Sequence, residues 1–332
     1  MKKKSLFLCF VLIVAIIVIS LPVITEVFDF TSTQGSPVTV TIPQGTPVNN
    51  IAQILKDNNL LKSKLAFKIK VKLFGYNQLN WGTYDLNSGM CLGDILEELS
   101  SSRGVKQILI TIPEGFSVQQ IAQRAENEGI CKKEDFLKAL SDEYDYGFIK
   151  YIPDGEYDYK LQGFLYPETY SFIPNTDPHT VIDVMLATFD EKYKQSIGEY
   201  DSNIFEIITK ASLVEKEAKL EKERPVISGV IENRIKIDMP LQIDAAIAYA
   251  VTGGRYDVEG VTLRDLEVES PYNIYRNPGL PAGPICNPGM TSIKSILNPQ
   301  SHKYLYYHTD NQKNDGSHIF SETYSGHLNT MN

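Results

Sequence analysis

Positive charge is in short supply: 32 Lys and Arg stand against 41 Asp and Glu, a formal net charge of −9. Broad binding to DNA, RNA or anionic lipid rests on clustered cations, so the balance argues against such surfaces. Cysteine is sparse as well, four in 332 residues. Neither CxxC nor HExxH occurs, and no cysteine spacing implies a metal site. Cys9 lies in an apolar run, which leaves Cys91, Cys131 and Cys286, an odd number compatible with one disulfide or with free buried thiols. An A-x-A-like cleavage site is missing after the N-terminal apolar run, which weighs against a removed signal peptide. What is present, 42% hydrophobic and 22% charged residues, is the composition of a folded chain long enough for about two domains.

The run itself is uncharged from Ser5 to Ile24 and follows Lys2, Lys3 and Lys4. At roughly 1.5 Å per helical residue it spans about 30 Å, the thickness of a bilayer's hydrocarbon core. The expectation is a retained transmembrane anchor over residues 5–24, with residues 1–4 cytoplasmic and Glu26 onward on the far side. Residues 25–37 then read as a linker.

Two later segments resemble each other at an offset of about 70 residues. They are TIPQGTPVNNIAQILKDNNLL from Thr41 and TIPEGFSVQQIAQRAENEGIC from Thr111. In each a β-rich run meets a glycine turn, Gly45 or Gly115, and a helix follows. Pro47 suits a first helical position, and Ser117 with Gln120 three residues on has the form of a capping box. A further helix from Ser63 to Phe74 and a strand near Trp81 to Leu86 complete a βααβ order in the first copy. The second copy continues with KKEDFLKALSDEY, but its closing strand is not evident. Trp81 and Tyr84 have the chemistry to stack on a sugar face, and equally that of core residues.

In IITKASLVEKEAKLEKERP, Ile207 to Pro225, a helix is expected to start behind Ser202 or Asn203. At about 100° per residue Ile204, Ile207, Ile208, Ala211, Val214 and Ala218 share one stripe, and Glu215 falls within it. Glu217, Lys216 and Glu221 fall outside, on what reads as a solvated face. A carboxylate held against apolar side chains keeps its proton to higher pH, as a general acid for glycosidic cleavage must. The same pattern also accommodates a Glu215 that pairs with a base such as Arg234.

Pro225 opens the next helix, VISGVIENRIKI, and MPLQIDAAIAYA then sets Gln242 and Asp244 between apolar neighbours. The Pro- and Gly-rich segment Ser270 to Met290 is long and stiff, a form that suits a groove wall. KYLYYHTD and SHIFSETY flank NQKNDG as a β-hairpin, across which His308 and His318 are expected to approach.

These blocks resemble the endolytic murein transglycosylases of the MltG or YceG-like family. The resemblance rests on LQGFLYPETY at Leu161 to Tyr170, ASLVEKEA at Ala211 to Ala218, VIENRIKIDMPLQID at Val230 to Asp244, SPYNIYRNPGLPAGPICNPG at Ser270 to Gly289, and the closing hairpin. It implies an α+β fold with three parts: an N-terminal transmembrane helix, a LysM-like βααβ region with a partial second copy over residues 38–150, and a mixed α/β YceG-like catalytic domain over residues 151–332. It makes Glu215 the catalytic glutamate, and Gln242, Asp244, Tyr272, Asn273, Tyr275, Glu168 and His318 substrate-binding residues. Glu168 stands where the family pattern has an aspartate, and YSGHLN lacks the acidic residue expected before His327.

The implied reaction breaks the β-1,4 bond between N-acetylmuramic acid and N-acetylglucosamine. One glutamate protonates the bridging oxygen and then takes the proton from the muramyl C6 hydroxyl, leaving a 1,6-anhydro end. It requires no metal or organic cofactor. The implied partners are peptidoglycan glycan strands, the membrane through the N-terminal helix, and penicillin-binding proteins of the elongation machinery, with no nucleic acid. A muramidase using Asp244 to activate water, a noncatalytic wall-binding scaffold and a metal-dependent wall peptidase are the competing readings.

Overall fold

The computed structural model of the protein describes residues 23–29, 35–43, 46–76, 79–101 and 107–331. Most of the apolar run expected to cross the membrane therefore lies outside the described residues. Among the described residues no helix is long and apolar enough to cross a membrane. Two compact units divide the chain after Ile108. The boundary expected near residue 150 thus falls some forty residues earlier, and the second repeat copy belongs to the second unit.

In the first unit, β1 (Pro37–Ile42) pairs antiparallel with β2 (Gly82–Asn87), Val40 opposite Tyr84. Helices α1 (Val48–Asp57) and α2 (Lys64–Phe74) lie between them in sequence, giving the expected βααβ order, and α3 (Leu92–Ser100) follows. Strand period 2 sends Val40, Ile42, Tyr84 and Leu86 into the core with Ile51, Leu55, Phe67 and Leu96. On the other strand face Thr39 donates to Asp85 at 2.6 Å, and the Thr41 and Thr83 hydroxyls meet at 3.0 Å. Tyr84 is fully buried and its hydroxyl donates to the Asn80 carbonyl, so of the two aromatics considered for sugar stacking only Trp81 reaches solvent.

The second unit opens with β3 (Ile108–Thr111), α4 (Val118–Asn127) and α5 (Lys133–Ala139). β3 pairs with β4 (Thr169–Phe172), so the closing strand missing from the second copy is supplied some thirty residues beyond α5. Ser117 and Gln120 form the complete capping box at the start of α4. The intervening chain is wound on an aromatic knot in which Phe148, Phe164 and Phe189 pack with ring centroids 5.0 to 5.2 Å apart. Phe189 comes from α6 (Pro178–Ser196).

Helix α7 (Ile204–Glu217) is the centre of this unit, packed against α8 (Arg224–Lys236), α9 (Asp244–Thr252) and α10 (Met290–Leu297). Every residue from Ile207 to Val214 is buried. Asn287, fully buried, stitches three segments: its Oδ1 accepts from the Gly163 and Leu165 N–H groups, both at 2.9 Å, and its Nδ2 donates to the Phe116 carbonyl at 2.9 Å. Gly163 has φ +96° and Ile208 and Pro284 within 2.8 Å of where a Cβ would sit, so only glycine fits. The hairpin of β5 (Tyr306–Thr309) and β6 (His318–Ser321) follows, and α11 (Tyr324–Thr330) ends the described chain. Cys91, Cys131 and Cys286 are free thiols.

Because the Ser117 hydroxyl serves both the Gln120 N–H and the buried Gly254 carbonyl, Ser117→Ala should cost roughly 1–2 kcal/mol in urea unfolding. An unchanged midpoint would show that the cap contributes nothing.

Candidate active site

Residues 215 and 217 are separated by about 200° around a helix, so their side chains leave α7 on opposite sides. Glu215, only 5% exposed, turns toward a structural junction. Its Oε1 accepts from Arg224 at 2.9 Å and its Oε2 from the Gly289 N–H, at the start of α10, at 3.0 Å. Arg224 also reaches Glu114 at 3.4 Å. A guanidinium and a helix N-terminus are partners that suit an anion.

Glu217 is the last residue of α7 and turns toward a cavity of about 230 Å³. That cavity is lined by Glu217, Arg234, Gln242, Asp244, Tyr275, Tyr307, His308, Thr309 and His318. Tyr307 donates its hydroxyl to Glu217 Oε2 at 2.8 Å. Burial pushes the Glu217 carboxyl above the ordinary 4.5, and Asp244 adds to this, against the opposing pull of the Tyr307 hydroxyl, His318 and Arg234. Its place at a helix C-terminus, the negative end of the peptide dipole, acts in the same direction as burial.

The cavity's walls come from three elements held by one side chain. Arg234, on α8, donates from Nε to the Leu305 carbonyl at 2.6 Å and from Nη1 to the Leu241 carbonyl at 2.6 Å. Leu241 leads through Gln242, whose φ of +50° puts a non-glycine residue in the left-handed region, to Asp244 at the start of α9. Tyr275 donates its hydroxyl to Asp244 Oδ1. His318 enters from β6, its ring edge-on to Tyr307 at 5.5 Å.

Gln242, Asp244, Tyr275 and His318 are therefore brought together as anticipated, but around Glu217 and not Glu215. Glu215 is buried, as its place in the stripe implies, but it is paired with Arg224 away from the cavity, and because every residue from Ile207 to Val214 is buried the stripe alone does not distinguish one glutamate from the other. Glu217, expected on a solvated face, instead lines the cavity, and the partner of Glu215 is Arg224 and not Arg234.

Tyr272 and Asn273 do not line the cavity. Asn273 is fully buried, its Nδ2 donating to the Leu266 and Val268 carbonyls at 3.0 and 2.8 Å and its Oδ1 accepting from the Tyr275 N–H at 3.1 Å. Its place is to shape the loop that presents Tyr275. Tyr272 is buried against Tyr249 and its hydroxyl accepts from the Asp158 N–H at 3.3 Å. Glu168 is exposed and pairs with Lys192 at 3.3 Å. Apart from Tyr275, the Pro/Gly segment packs behind α7, where Ile285 donates its N–H to Ser212 at 3.0 Å. His308 and His318 do not face each other: the register sets His318 opposite Thr309, and the His308 ring turns to Thr330 at 3.1 Å. Tyr307 and the cavity position of Arg234 carry no sequence signal beyond hairpin alternation and helix period.

The profile of the YceG-like family matches residues 40–332. The chain belongs to the YceG-like family. It is 35% identical over 303 residues to a protein of Bacillus subtilis (strain 168) named endolytic murein transglycosylase, covering 87% of this chain and 82% of that one. The protein of the same name from Streptococcus pneumoniae serotype 2 (strain D39) is 35% identical over 298 residues, and this chain spans 54% of its length. A crystal structure of a yceG-like protein from Listeria monocytogenes is similar with a TM-score of 0.57 and 31% identity, over 89% of this chain and 99% of that one.

Two stability measurements separate the glutamates of this YceG-like chain. Arg224→Met should cost about 3–5 kcal/mol, because it strands a buried carboxylate, and adding Glu215→Leu should recover much of that loss. Additive losses in the double variant would refute the pairing. For Glu217 the folded-state pKa is raised, so native stability falls as pH rises from 4.5 through the folded value. Glu217→Gln removes that titration: its melting temperature should match the unmodified protein near pH 4 and exceed it near pH 7. A gap of the same size at both pH values would contradict the raised pKa.

Proposed function

We propose that the protein is an endolytic murein transglycosylase that cleaves the β-1,4 bond between N-acetylmuramic acid and N-acetylglucosamine, with Glu217 as its acid and base. The observation that carries this reading is a carboxyl group kept protonated to higher pH by burial, at the wall of a polar cavity, with one oxygen already hydrogen-bonded to Tyr307. Glu217 Oε1 faces the substrate. Its proton passes to the bridging oxygen as the bond from C1 to that oxygen breaks, and an oxocarbenium-like centre develops at C1. The new carboxylate is stabilised by the Tyr307 hydroxyl and the charge of Arg234. It then accepts the C6 hydroxyl proton as that oxygen closes onto C1, giving the 1,6-anhydro end with no water consumed. Asp244, oriented by Tyr275, offers negative charge to the cationic centre.

Asp244 also favours a second reading, because two carboxylates on one cavity are the usual equipment of a hydrolase. There Asp244 would activate water, and the product would carry a reducing end. The Ser5–Ile24 run supports an envelope location, anchored in the bacterial cell membrane with the N-terminus cytoplasmic and both units outside. An anchored enzyme cutting glycan there would end strand elongation, with penicillin-binding proteins as neighbours.

The deciding assay is mass spectrometry of muropeptides released from purified peptidoglycan strands. Anhydromuramyl ends should appear with the unmodified protein and fall at least about 1,000-fold with Glu217→Gln, while a Glu215→Gln protein that folds should keep forming them. Products heavier by one water would replace transglycosylation with hydrolysis, and full activity in Glu217→Gln would end the assignment.

A further inference from the structure

Glu223 closes the short 3₁₀ turn Glu221–Glu223 that links α7 to α8. Six residues after Glu217, it turns toward the hairpin and grips one residue twice. Its Oε1 accepts the His318 backbone N–H at 3.1 Å and its Oε2 lies 2.7 Å from His318 Nδ1. Both side chains are about nine-tenths buried, 9% exposed for His318 and 10% for Glu223. Such an arrangement fixes a backbone position and a ring orientation together. It also commits Nδ1 as the protonated nitrogen, since a carboxylate accepts and does not donate. Nε2 makes no hydrogen bond among the described residues, and the ring lines the same cavity as Glu217.

We propose that Glu223 is a positioning residue that holds His318 as its Nδ1–H tautomer, so that Nε2 presents a lone pair to a hydroxyl of the bound sugar. This rests on the glycan-cleaving reading of the cavity. In that reaction the hydroxyl whose direction matters is the muramyl C6 hydroxyl, whose oxygen must point at C1 while its proton points at a base. An acceptor at Nε2 holds that hydroxyl's one proton, and so its rotation, until the proton turns from Nε2 to Glu217 as the oxygen closes onto C1. His318 only accepts a hydrogen bond, so the proton balance is that of the cleavage itself. Tyr307 ties the two walls: its hydroxyl meets Glu217 while the His318 ring stands edge-on to it. A displacement of either group by about 1 Å is enough to cost roughly 100-fold in rate.

The test uses the full chain with Glu223→Gln, Glu223→Ala, His318→Ala and Glu223→Ala/His318→Ala, beside Glu217→Gln. Long-range 1H–15N correlation of the histidine rings reads the tautomer without any substrate. The unmodified protein should show His318 with Nδ1–H and a bare Nε2, and Glu223→Ala should shift the neutral ring toward Nε2–H. On glycan strands Glu223→Ala should lose about 100-fold in kcat with KM within about threefold. Glu223→Gln, whose amide oxygen still accepts from one of the two donors, should recover about tenfold of that loss. The double variant should be no slower than His318→Ala. An unchanged tautomer in Glu223→Ala, or losses that multiply in the double variant, would overturn the proposal. Product formation by Glu217→Gln would instead overturn the acid assignment, and the tautomer measurement would still decide the pairing of Glu223 with His318.

Discussion

Helix α7 is buried on every side from Ile207 to Val214 yet carries Lys210, Glu215 and Glu217 at the interior or its edge, and the second unit is organised around giving each a partner. Burying an unpaired charge is prohibitive, so the neighbours of such groups are constrained more tightly than those of a leucine. Lys210 lies between Glu206 at 2.7 Å and Glu232 at 2.6 Å. Glu215 has Arg224 and the first amide of α10. Glu217 has a phenol, Tyr307, and a second carboxylate in the same cavity. The Glu217 environment penalises the charged form while leaving one oxygen without a partner among the described residues. The same helix thus supplies a structural ion pair and a candidate acid two residues apart.

That division explains why the stiff Pro/Gly segment gives the cavity wall Tyr275 and little else. Its task is to cover α7 from behind. Asn287 fastens it to Gly163, Leu165 and Phe116, and Gly289 lies so close to Glu114 that a Cβ there, 1.8 Å from Oε1, would displace that carboxylate. Loosening this cover would hydrate the Glu215–Arg224 pair and release the end of α7 from which Glu217 projects. The segment acts on the cavity through Asn273, which consumes four backbone groups of its own loop to set the position of Tyr275.

Local chemistry was the legible part of the sequence. The capping box at Ser117, the βααβ order of the first unit and the closing hairpin follow from short-range signals, and each is found where the residues imply it. The resemblance also named four residues that meet in one cavity. What stayed illegible depends on long-range packing. A hydrophobic stripe locates the buried face of a helix that has one wet side, and α7 has none from Ile207 to Val214, so the period could not tell Glu215 from Glu217. The strand that completes the second repeat copy sits beyond α5 and the 3₁₀ turn Ile149–Tyr151, outside any short window. The two histidines of the hairpin share a spacing but not a face, because pairing Thr309 with His318 fixes the pleat.

Arg234 shows how this packing serves chemistry. Its Nε and Nη1 are spent on carbonyls from the two chain segments that bring Leu241 and Leu305 to the cavity, which makes the guanidinium a brace before it is a charge. A free lysine there would move toward an ionised Glu217 and neutralise it, lowering the acid's pKa in the resting state. Held by backbone carbonyls, Arg234 keeps its geometry, while burial lowers its own pKa and nearby Glu217 and tyrosines raise it. Its field is therefore present at a fixed distance whether Glu217 is protonated or not. A fixed charge favours the carboxylate formed on proton transfer without reorganising, which is the condition under which electrostatic stabilisation contributes most to a transition state.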